Sequence, residues 1–125
     1  MKIANILSAL LGTVLALIAL QWIFTPETAA ELLNMNYLEG EGRNTQIRDF
    51  TAFFLGTAIM SFLSFITKQY QWIFSAGIIF LIAAIFNVLA SLNHDATLAI
   101  SSLISEILFL SMAFIAGVLY KTNKL

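Results

Sequence analysis

The chain contains no cysteine, and that absence excludes disulfide bonds, thiolate metal sites and thiol redox chemistry within the protein itself. Any redox role needs a borrowed cofactor. Charge is also scarce. Asp, Glu, Lys and Arg together make up 10% of the residues and apolar residues 60%, far from the roughly 25% and 45 to 50% of soluble domains. This is the composition of a membrane protein. The net charge of -1, with six scattered cations, provides no basic stripe and excludes nucleic-acid binding. Recognisable hydrolytic chemistry is missing too: there is no H-E-x-x-H, no Gly-rich phosphate loop after a strand and no Ser-His-Asp motif. The one histidine, His94, with its neighbour Asp95, supplies only two candidate metal ligands.

What the sequence does have is four apolar runs. The first, Ile3 to Phe24, is too long for a signal h-region of about 7 to 15 residues and is read as a retained span. Asn5, Ser8, Gly12 and Ala16 recur along it at helical spacing, a small-residue stripe suited to close packing. A polar segment follows, with Thr25 as N-cap, Pro26 at the first helical position and Glu27 in the first turn. It predicts a short interfacial helix over about 26–34, after which Gly40 and Gly42 loosen the backbone. The second span, about 47–67, opens on Arg48 and Asp49 and carries the small line Ala52, Gly56, Met60. The third covers about 70–92, and the fourth about 96–120. Gln-Trp-Ile-Phe occurs at 21–24 and again at 71–74, but the offset does not align two hairpins, and both tryptophans read as interfacial anchors. The expected fold is all-α: one domain over residues 1–125, an integral membrane four-helix bundle with a short interfacial helix between its first two spans.

Lys2, Lys68, Lys121 and Lys124 fall on the side of the termini, against Arg43 and Arg48 on the other, which predicts both termini in the cytoplasm of a cell (inner) membrane. The opposite halves of the spans hold nearly every polar side chain: Gln21, Arg48, Asp49, Asn87, His94, Asp95, Ser102 and Glu106. Glu106 is the costly one. A charged residue at the centre of a membrane helix costs about 2.5 to 3.5 kcal/mol and marks a functional site by default. Counted from Ala96, it lies roughly 15 Å along its helix. Ser102, Glu106, Ala113 and Gly117 share a face that should look into the bundle.

The candidate ligand-binding set is therefore Arg48, Asp49, Asn87, His94, Ser102 and Glu106, arranged as a pocket with Glu106 at its floor and Arg48 as its partner. Left unpaired, the acid would be protonated; set against Arg48, it would be ionised. The competing structural reading has Glu106, Asn87 and Ser102 only holding helices together.

The first span ending in Trp22, Phe24 and Pro26, the Arg48-Asp49 start of the second with Gly56 beyond, and the acid in the last span together resemble small four-helix bacterial membrane proteins of the wider DoxX-like group. That resemblance implies an association with quinone-linked or membrane oxidoreductase complexes, with Arg48, Asp49 and Glu106 as the family positions. The leading expectation is a non-enzymatic protein that binds an apolar or amphipathic ligand, a quinone or a lipid, or serves as a subunit beside a membrane-protein partner or a second copy of itself. A proton-coupled small transporter and a purely structural or assembly subunit are the alternatives. Exporters of the small multidrug type also have four spans and one membrane glutamate, but theirs is in the first helix and this one is in the last.

Overall fold

The computed structural model describes residues 1–123, so Lys124, one of the cations used for orientation, lies outside the described residues. Five helices follow one another among the described residues: α1 (Lys2–Phe24), α2 (Pro26–Leu32), α3 (Gly40–Thr67), α4 (Tyr70–Asn93) and α5 (Ile100–Thr122). Four of them are long and apolar enough to cross a membrane. In hydrocarbon every backbone N–H and C=O must be satisfied within its own element, which makes helices the only solution for such runs. The buried hydroxyls of Thr57 and Ser61 are satisfied in the same way, within their own helix. Thr57 donates to the Phe53 carbonyl at 2.8 Å and Ser61 to that of Thr57 at 2.9 Å.

The spans take chain order around the bundle. α1 packs on α3, α3 on α4, α4 on α5 and α5 back on α1, so each neighbour is antiparallel and no long crossover is needed. With lipid-facing residues such as Ile3, Ile66, Phe86 and Ile104 exposed on its outside, the protein is an integral membrane four-helix bundle in contact with the bilayer.

Side chains reaching from the helices hold all three connections between spans. Gln46, almost fully buried, accepts from the Leu38 N–H at 3.0 Å and donates to the Asn36 carbonyl at 3.0 Å. Asn87 accepts from the Ala99 N–H at 3.1 Å and donates to the Ala99 carbonyl at 3.0 Å. Ser64 donates to the Gln69 carbonyl at 2.6 Å and accepts from the Ile73 N–H at 2.8 Å. Each supplies partners that a non-helical backbone at a membrane edge would otherwise lack.

Several expectations are corrected. α3 starts at Gly40, not near Ile47: at 28 residues it is about 42 Å long and outruns a ~30 Å core, so its first turns project beyond the bilayer. Gly40 is where the extended stretch before it turns into the helix, at φ +57, a conformation that glycine adopts without penalty. Ala52 and Gly56 face away from the other helices, and the packing line of α3 is instead Phe54, Thr57, Ala58, Ser61 and Ser64. α5 starts at Ile100 rather than Ala96. Trp22 is no interfacial anchor but wholly buried, its ring stacked on Phe50 at 4.7 Å. Trp72 is exposed, as an anchor should be.

Candidate functional site

Where the acid sits follows from the helix starts. Counted up from Thr122, Glu106 lies about 24 Å along α5, and Asn87 lies about 26 Å along α4 from Tyr70. The two side chains meet at that level, with the Asn87 amide donating to Glu106 Oε1 at 3.3 Å. Glu106 is about 9 Å from the start of α5 at Ile100, nearer the α2 end of that helix than its middle, and a charge costs less away from the bilayer centre. Arg48 is not its partner. The guanidinium Nε donates to Asp49 at 3.0 Å and Nη2 to Thr45 at 3.4 Å, all on the exposed side of α3.

Beside Glu106 the bundle encloses a cavity of about 520 Å³, to which all five helices contribute. That is within the roughly 300 to 1,000 Å³ of small-molecule sites. One part of the wall is aromatic: Trp22 from α1, Phe50, Phe53 and Phe54 from α3, Phe80 from α4 and Phe109 from α5. Edge-to-face contacts of Phe53 and Phe80 at 5.3 Å, and of Phe80 and Phe109 at 5.2 Å, close the rings into one surface. The polar part is Gln21, Asp49, Ser101, Ser102, Ser105 and Glu106. Its exposed members, Asp49, Ser101 and Ser105, together with Leu32 of α2, mark the mouth at the α2 end. The buried Trp22 Nε1 has no hydrogen-bond partner among the described residues.

Of the six candidate residues, Asp49, Ser102 and Glu106 come together on the cavity wall, and Asn87 reaches Glu106 from behind it. Arg48 and His94 do not line the cavity; His94 is exposed after the end of α4. The aromatic wall was not anticipated from the sequence. Its members look like ordinary apolar filling within each run, and only the bundle brings them together.

A second polar cluster lies at the opposite end, correcting the expectation that one end holds nearly all the polar groups. Tyr120 and Ser8, both fully buried, share a hydrogen bond of 2.6 Å. Tyr120 also donates to Asn5 Oδ1 at 2.9 Å, and Lys68 Nζ donates to the same oxygen at 2.8 Å. This network ties α1, the turn after α3 and the end of α5 together, so the bundle is fastened at the end of the termini and hollow at the end of α2.

Among the described residues, no three of His, Asp and Glu gather as a metal ion would require. Fold and site together define a small polytopic α-helical membrane protein with a ring-walled cavity at one end of its bundle. Comparison with protein-family models, curated proteins and solved structures returns no match.

Proposed function

We propose that this protein binds an amphipathic molecule of the membrane in the α2-end cavity, with its apolar part against the rings and its polar head at Glu106 and Ser102. The observation that carries the reading is the cavity itself, an aromatic wall and a polar wall around one volume at the α2 end of the bundle. In this reading Asn87 holds the Glu106 carboxyl, Asp49 stands at the mouth, and Arg48 and His94 stay outside the contact set. Quinones and lipids are the membrane's own molecules of this shape. The resemblance to the DoxX-like group adds work beside a membrane oxidoreductase complex. With the cations of the described termini end facing the cytoplasm, the mouth opens on the outer side of a cell membrane.

Mass spectrometry of the gently solubilised protein tests this. The wild type should retain a stoichiometric amphiphile, and Ser102→Trp, which fills the cavity without touching the network at the termini, should lose it. A wild type that retains nothing, or a Ser102→Trp protein that retains as much, counts against the proposal.

A further inference from the structure

Resting on that reading, the chemistry of the wall narrows the kind of head the ligand carries. Glu106 is partly buried and its one hydrogen bond comes from a neutral amide. Among the described residues no cation lines the cavity, and their one ion pair joins Arg48 to Asp49. With Nε on Asp49 and Nη2 on Thr45, Arg48 leaves Glu106 without a counter-charge. The remaining wall is made of rings whose faces carry negative quadrupole charge and attract cations, more strongly where water is excluded.

We propose that the ligand's head is a positively charged amine or quaternary ammonium, set against Glu106 and surrounded by the rings of Trp22, Phe50, Phe53, Phe80 and Phe109. The ligand then supplies the cation that the described residues do not, and beside that cation Glu106, which unpaired would be protonated, is ionised. The chain next to the head lies against the same rings, and the hydroxyls of Ser102 and Ser105 accept from a primary amine. An anionic head would leave Glu106 unpaired and hence protonated, with no charge in the wall matched to its own. A neutral quinone ring fits the aromatic surface but leaves Glu106 unmatched.

Equilibrium dialysis against the protein in zwitterionic nanodiscs, with empty discs subtracted, separates these cases. The probes are dodecyltrimethylammonium, dodecyl sulfate and decylubiquinone, all below their micellar concentrations. The cation should bind at least about tenfold tighter than either of the others. Glu106→Gln should bring that preference to within about twofold, while Glu106→Asp, which keeps the charge, should retain most of it. If all three probes bind alike, or the quinone binds best, the cationic head is overturned and ligand binding stands. If none binds above empty discs, the binding reading falls and takes this inference with it. The wild-type ranking and the Asp variant decide the matter even if the Gln protein does not fold.

Discussion

At the scale of single residues, two of the glycines, Gly117 on the inner surface of the bundle and Gly56 on its outer one, make opposite predictions. A Cβ on Gly117 would overlap the Phe74 ring, whereas a Cβ on Gly56 meets nothing within 4 Å. Overpacking a tight contact costs typically 1 to 3 kcal/mol, while replacing a helical glycine that faces open space removes a penalty of up to about 1 kcal/mol. Gly117→Ala should therefore lower the unfolding free energy in mixed-micelle denaturant titrations by about 1 to 3 kcal/mol, and Gly56→Ala should leave it unchanged or raise it slightly. Equal effects would mean that α4 and α5 are not in close approach at that level. Sequence alone could not rank the two, because both occupy small positions at helical spacing and only the neighbouring helix tells them apart. Tyr120 was illegible for a related reason. Its hydroxyl is at the end of an apolar run, where a tyrosine reads as an interfacial residue, and its buried partners Ser8 and Asn5 lie at the other end of the chain.

Among the elements, hydropathy located the four long helices and missed where two of them start, for one physical cause. It reports which residues prefer hydrocarbon, and a helix that projects from the bilayer does not need to. The first turns of α3 are polar yet helical, while residues 95–99 before α5 belong to an irregular connection. Asn87 governs that connection. Two bonds from its amide to Ala99 set where α5 begins, and a third sets the Glu106 carboxyl, so one side chain couples the loop to the site. Removing it frees groups whose hydrogen bonds are worth about 1 to 3 kcal/mol. Asn87→Ala should accordingly speed thermolysin cleavage ahead of Leu98 by roughly 5- to 150-fold, if opening of the connection precedes cutting. Asn93→Ala is the control, because the Asn93 amide donates only to the Leu89 carbonyl of its own helix. A cleavage rate unchanged in the Asn87 variant would show that the connection is held by something other than this amide.

Across the whole molecule the asymmetry between the two ends is what the sequence half disclosed. Depth counting found the acid, its amide and the serine above it, since those residues stand out against apolar neighbours. It could not find that the opposite end is fastened, because Asn5 and Ser8 look like a packing stripe until Tyr120 and Lys68 reach them. The absence of native cysteine turns this asymmetry into a measurement. Ser102 lies on the cavity wall near an exposed mouth, while Ser8 is fully buried in the network at the termini. A thiol reacts as its thiolate and only where water and reagent reach it. Ser102→Cys should thus be modified by a membrane-impermeant thiosulfonate in right-side-out vesicles and protected by a bound amphiphile, whereas Ser8→Cys should resist the reagent from both sides until the protein is unfolded. Modification of Ser102→Cys only in inside-out vesicles would reverse the orientation and keep the cavity. Modification from neither side would mean that water does not enter at the α2 end, and with it the mouth between Leu32, Asp49 and Ser105 would be lost.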